Sequence, residues 1–152
     1  MLDETMLISY AYNKKQPRFY SRFNAERNPY IFDVQVDEAV VASTSLLMYY
    51  DPFKMQLGLE SQEVLVDGAI IAQNPSFYSL IHAKELKKMN FVKVVSIGSG
   101  YSNFDDIDFA SGNFILSLLS DPNHIIDLFS YIKARSHSYW TSIVTNNDPD
   151  LF

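Results

Sequence analysis

Apolar positions along the chain fall into short runs separated by polar turns, and their spacing changes between periods of two and of about 3.6. Met6–Tyr12 is an apolar and aromatic run that predicts a strand ending in the turn Asn13–Pro17. Arg18–Phe23 sets Phe19 and Phe23 against Arg18, Ser21 and Arg22, which predicts the antiparallel partner of that strand. Asn24–Tyr30 is polar and Asn28-Pro29 is a stop signal. Asp33 to about Met48 has helical spacing, with Val36, Val40, Leu47, Ala39 and Ala42 on adjoining faces and Asp33 available as N-cap. Tyr49–Leu59, which contains Pro52 and Gly58, reads as a loop.

The second half carries the same alternation of signals. Glu63–Val66 predicts a strand, Asp67-Gly68 a turn, and Pro75–Met89 a helix whose apolar face is Phe77, Leu80, Ile81 and Leu86. Phe91–Ile97, apolar and bounded by polar and glycine-rich segments, reads as a buried parallel strand, so Glu63–Ile97 predicts one βαβ unit with a right-handed crossover. Phe109–Leu119 and Asn123–Trp140 predict two helices separated by Asp121-Pro122, with Asp121 capping the second. Thr141–Phe152 is a polar tail. The expected fold class is therefore α/β, a mainly parallel sheet flanked by helices with an N-terminal β-hairpin, spanning residues 1–140.

Composition narrows the function classes. A chain of 152 residues with 47% hydrophobic and 20% charged positions is long enough for one domain with a real core. The net charge of −6 argues against nucleic acid and against electrostatic recruitment to anionic lipid. The absence of cysteine excludes disulfides, thiolate metal sites and cysteine nucleophiles within these residues. No apolar run is long enough to span a bilayer and no signal-peptide pattern opens the sequence, so the expected location is cytoplasmic or peripheral on a membrane surface. Ten Tyr and eleven Phe suit either an aromatic core or a lipid-facing mouth.

The chemistry-bearing stretch is Val64-Leu65-Val66-Asp67-Gly68-Ala69-Ile70-Ile71-Ala72-Gln73-Asn74-Pro75. A strand-end carboxylate is followed by a glycine that permits an unusual turn and by an Asn-Pro pair that can start a helix. Taken alone, Asp67-Gly68 is equally the commonest kind of turn dipeptide. His82, His124 and His137 have no metal-ligand spacing. Asn103, Asp105, Asp106 and Asp108 lack the glycine and distal Glu of an EF-hand loop, and read as a solvated segment capping the next helix. The nearest approach to a serine elbow, Gly100-Tyr101-Ser102-Asn103-Phe104, places Phe104 where the tight turn wants glycine.

Three segments in order carry a family resemblance. Asp67-Gly68-Ala69 with its flanks resembles the Asp-Gly-Gly/Ala segment of the patatin-like phospholipases. Ala42-Ser43-Thr44-Ser45 followed by Tyr49-Tyr50-Asp51-Pro52-Phe53 is similar to that family's Ala-Ser-Ser-Ala-Ala-Pro and Tyr-Phe-Pro-Pro stretch. Val94-Val95-Ser96-Ile97-Gly98-Ser99-Gly100 is similar to its Leu-Ser-Leu-Gly-Thr-Gly strand end. Ala69 stands at the second Gly position, Leu47-Met48 where Ala-Pro often lies, and Gln73 in place of an Asn. The family's Gly-x-Ser-x-Gly and its oxyanion loop lie N-terminal to this region and are not found here.

The resemblance implies the C-terminal part of a three-layer patatin-like domain that hydrolyses lipid esters with a Ser–Asp dyad. It implies Asp67 as the catalytic acid/base, Gly68 and Ala69 as its supporting motif, and phospholipid or acylglycerol as substrate. No metal or organic cofactor enters the implied acyl transfer. Peripheral membrane contact is expected, and nucleic acid is not. The expected alternative is a non-catalytic derivative binding lipid or a protein partner. Because the implied sheet is incomplete, the chain is expected to be a fragment or to need a partner that covers its strand edge.

Overall fold

A computed structural model describes residues 4–47, 49–59, 61–86, 88–97 and 122–145. The chain divides into two compact units, Met1–Gln73 and Asn74–Phe152. The first is α/β and contains strands β1 (Leu7–Ala11), β2 (Gln16–Tyr20), β3 (Phe53–Leu57) and β4 (Ser61–Asp67), with helices α1 (Arg22–Arg27), α2 (Pro29–Phe32) and α3 (Val36–Thr44). The strands form one sheet in the order β2-β1-β4-β3, every neighbouring pair antiparallel.

The N-terminal hairpin forms, with Ile8 opposite Phe19 and Ser9 opposite Arg18, but its second strand is Gln16–Tyr20 and not the expected Arg18–Phe23, because Arg22 and Phe23 open α1. The inward face is the reverse of what the aromatics suggest. Tyr20 and Arg18 face the core with Ala11, whereas Phe19 lies on the other side of the sheet. Arg18 can turn inward because Glu63 meets it: Nε donates to Oε2 at 2.8 Å and Nη2 donates to Oε1, with both side chains buried. The pair reaches from β2 over β1 to β4. It satisfies two charges that would otherwise be costly to bury.

The predicted mainly parallel sheet is not formed among the described residues. Both edges of β4 are occupied, by β1 through Ser9 opposite Asp67 and by β3 through Phe53 opposite Leu65, and no edge remains for a parallel partner. The strand that closes the second edge is β3, which the loop reading of Tyr49–Leu59 overlooks. Phe53, Met55 and Leu57 alternate with Lys54 and Gln56, a period of two that Pro52 and Gly58 merely bracket. Gly58 makes the β3–β4 turn at φ 66, the left-handed region that favours glycine. Phe91–Ile97 is not a strand, so the βαβ unit is absent too, and Phe91 and Ile97 are 87% and 92% exposed.

Helix α3 lies on one face of the sheet. Its small residues Ala39 and Ala42 are buried and bring the helix close to Met55, Leu57 and Leu65, with Ala11 and Tyr20 completing the cluster. Asp33 does not cap this helix. It ends α2, donating its N–H to the Pro29 carbonyl at 3.0 Å, and Gln35 occupies the N-cap of α3 without a side-chain bond. The polar stretch before Pro29 is also helical: Ser21 Oγ accepts from the Asn24 N–H and starts α1.

The second unit contains α4 (Ser76–Ile81), continued by a wide turn over His82–Leu86, and α5 (Pro122–Thr145). Asn74 Oδ1 accepts from the Ser76 N–H at 3.0 Å, which explains why the Asn-Pro pair starts the helix. Of the expected apolar face Leu80 is fully buried and Phe77 partly so, whereas Ile81 is exposed, and α4, which packs on α5, is shorter than the expected Pro75–Met89 helix. Helix α5 continues through Thr145, beyond the expected end at Trp140. The predicted helix Phe109–Leu119, the acidic segment Tyr101–Asp108, the Asp121 cap and the Ser102 elbow lie outside the described residues. Among the described residues, no helix is long and apolar enough to cross a membrane.

Candidate functional site

Asp67 is the last residue of β4 and is half-buried on the sheet face that α3 covers. Its position is set at three points. The main-chain N–H donates to the Ser45 carbonyl at 2.9 Å, Oδ1 accepts from the Ala69 N–H at 2.7 Å, and Ser9 of β1 lies directly opposite. The Ser45 carbonyl is available because α3 ends there: Ser45 is the C-cap residue, and its hydroxyl donates back to the Val41 carbonyl at 2.7 Å. The Ala42–Ser45 segment and the Asp67 segment, which sequence similarity links only by order, are therefore in direct contact.

Gly68 is required for a different reason from the one its sequence suggests. Its backbone is not in the left-handed region, but a Cβ built on it would lie 2.2 Å from the Ile8 carbonyl oxygen. Close approach to β1, rather than an unusual dihedral, excludes any side chain. Beyond it a 3-10 turn runs over Gly68–Ile70, closed by the Ile71 and Ala72 N–H groups donating to the Gly68 carbonyl. Ala69 supplies the N–H that orients the carboxylate.

The bond from Ala69 makes Oδ1 a turn-capping acceptor, which on its own accounts for an aspartate here. Oδ2 differs, because among the described residues it accepts no hydrogen bond. A half-exposed carboxylate with one oxygen committed and the other available is suited to receive a proton from a group approaching its open side.

Ser9 is a feature that sequence reading does not single out. It is fully buried opposite Asp67, and its Oγ makes no hydrogen bond of acceptable geometry among the described residues. Burial pushes the Tyr20 phenol above its ordinary range while the Ser9 hydroxyl draws it back, although the phenol's own hydrogen bond is to the Met55 sulfur, at 3.8 Å. Fully enclosed, the Ser9 hydroxyl is not placed to act on a bound molecule. No signal in a single sequence marks a buried strand serine of this kind.

His137, in the second unit, has its ring stacked on Phe77 at 6.2 Å and edge-on to Tyr78 at 5.3 Å. Its Nδ1 is buried without a hydrogen-bond partner among the described residues. Burial, and then the charge of Lys133, hold its pKa below the ordinary 6.5. Among the described residues no three His, Asp or Glu side chains gather as a metal site.

Neither a protein-family model nor a curated protein matches the chain.

Proposed function

We propose that this chain supplies the acid/base Asp67 of a patatin-like Ser–Asp dyad acting on lipid esters of the phospholipase A or acylglycerol lipase type. The observation that carries the reading is the division of labour within one carboxylate: Oδ1 is held by the Ala69 N–H while Oδ2 is left to accept a proton. The nucleophilic Ser and the oxyanion donors come from a preceding segment of a longer protein or from a partner chain. Together with this antiparallel sheet they complete a three-layer α/β domain.

In the reaction, Oδ2 takes the Ser proton as the Ser oxygen attacks the acyl carbonyl, and backbone donors stabilise the tetrahedral oxyanion. Collapse breaks the ester C–O bond, and the Asp67 carboxyl returns the proton to the departing alcohol. Water then attacks the acyl-enzyme with Asp67 again taking the proton, and fatty acid leaves as Ser is restored. No metal or organic cofactor takes part.

A second reading, a non-catalytic derivative that binds lipid or a protein partner, draws on the lack of Gly-x-Ser-x-Gly in the 152 residues. Labelling the native source with a fluorophosphonate, isolating the protein with an antibody to α5 and weighing it separates the two. A labelled species well above 17.4 kDa supports the hydrolase, and an unlabelled species at 17.4 kDa supports the binding derivative. In the labelled protein, Asp67→Asn should lower ester turnover by roughly 10²- to 10⁴-fold with little change in thermal stability. Retained turnover removes Asp67 from the mechanism.

A further inference from the structure

Helix α5 turns its polar side inward. Where it meets α4, Ser138 accepts from the Asn74 side chain at 3.1 Å, the Thr141 hydroxyl lies 3.4 Å from that of Ser76, and His137 stacks on Phe77. Thr141 and Ser142 are buried. The large apolar side chains Phe129, Ile132, Tyr139, Trp140, Ile143 and Val144 are instead between 38% and 58% exposed. At the helical repeat these six share one arc roughly 140° wide, in which only Lys133 and Ser136 are polar. A contiguous apolar face of this kind marks an interaction surface.

The spacing along that face selects the occupant. Phe129, Ile132, Ser136, Trp140 and Ile143 follow one another at intervals of three, four, four and three residues, the intervals of a helix-packing seam. The series reads the same from either end, with Ser136 at its centre. Two copies of α5 crossing antiparallel at Ser136 therefore set Phe129 of one copy against Ile143 of the other, and Ile132 against Trp140. This is the condition for a two-fold interface, in which one patch complements itself. Lys133 then falls opposite Tyr139, whereas a parallel pair would set Lys133 against its own copy. The six side chains expose roughly 500 Å² per copy, so a two-fold pair buries about 1,000 Å², the area at which a specific interface begins.

We propose that the outer face of α5 is a homodimer interface, two copies of this chain packing antiparallel about a two-fold axis at Ser136. The small Ser136 side chains let the two backbones approach at the axis, and the aromatic and branched side chains on either side fill the space beyond. The inward polar face of α5 has the complementary task of holding α4. The assignment goes beyond the lipid-ester reading and does not depend on it, because it uses no residue of the Asp67 segment.

The test uses the 152-residue chain, which has no cysteine and a single tryptophan, Trp140. Sedimentation across the micromolar range should show a reversible shift from 17.4 kDa to twice that mass, with Trp140 emission moving to the blue as the dimer forms. Ile132→Glu places an unpaired carboxylate in the seam twice and should weaken association by about 100-fold or more, with thermal melting unchanged. Mild oxidation of Ser136→Cys should link two copies. Phe129→Cys and Ile143→Cys should each stay unlinked alone and link when mixed, which also decides the matter if Ile132→Glu does not fold. A monomer at every concentration overturns the proposal, as does a dimer that tolerates Ile132→Glu. Self-linking of Phe129→Cys overturns the antiparallel register. A Trp140 shift that requires phosphatidylcholine vesicles assigns the face to a lipid surface and overturns the dimer.

Discussion

The two units differ in the balance between long-range and local polar contacts. In the first, polar groups far apart in sequence meet: buried Arg18 with Glu63 across the sheet, the Asp67 N–H with the Ser45 carbonyl at the end of α3, and the exposed Asn13 side chain with Val64 and Gln62. In the second, many polar bonds close within one turn of helix, as when Ser138, Thr141 and Ser142 donate to carbonyls three or four residues back. Long-range bonds allow only one register, because a one-residue slip breaks all of them and turns every side chain over. Local bonds survive any sliding of one helix on another. The first unit can therefore hold a carboxylate to a defined geometry, while the α4–α5 pair depends on shape, on a few contacts such as Asn74 with Ser138, and on the aromatic enclosure of His137.

The strongest way to break this contrast is to remove one half of the buried ion pair. Arg18→Ala or Glu63→Ala should cost about 3–5 kcal/mol in urea unfolding, because the remaining charge stays buried without a partner. The double replacement Arg18→Met with Glu63→Leu should recover most of that stability. If strand register depends on the pair, the recovered protein should still show altered amide exchange along β4, and unchanged exchange would assign the register to the apolar contacts alone.

A smaller effect is expected at Gly68. Introducing alanine sets a methyl group against the Ile8 carbonyl, and the displacement of β1 from the 3-10 turn should cost about 3 kcal/mol. The Ala69 amide resonance should move with it, since that N–H holds Asp67. A shift confined to residues of the turn, with β1 unmoved, would show that the sheet gives way less than the geometry requires.

The mildest perturbation is pH. The folded-state pKa of His137 is depressed, so its neutral form stabilises the helix pair fully above the ordinary 6.5, and that contribution is lost as pH falls from 6.5 through the lower folded value. Amide exchange in α5 should quicken over that interval. His137→Phe should flatten the dependence. A dependence that survives the replacement would place the titrating group elsewhere.

Much of this behaviour was legible in residue order, and the misses have identifiable causes. The β1–β2 hairpin, the β4 strand, the helix started by Asn74 and the long C-terminal helix each announce themselves through local periodicity or a capping residue. Alternation does not reveal that Arg18 is buried, because its partner Glu63 lies 45 residues away. Strand β3 was masked by the Pro52 and Gly58 that border it. Phe91–Ile97 has the composition of a buried strand, but β4 has no edge to offer it. Gly68 stands out in the sequence, but its reason does not, since dihedral freedom and close approach leave the same letter.

By itself the sequence determined the elements whose information is local, the identity of Asp67 as the carboxylate ending a strand, and its order relative to the Ala42–Ser45 segment. The tertiary structure decided that the sheet is antiparallel, that α3 meets Asp67 through the Ser45 carbonyl, and that one carboxylate oxygen is committed while the other is available. The physical reason is range: periodicity and capping act within a few residues, whereas strand pairing and main-chain contacts depend on which distant segment occupies each edge first.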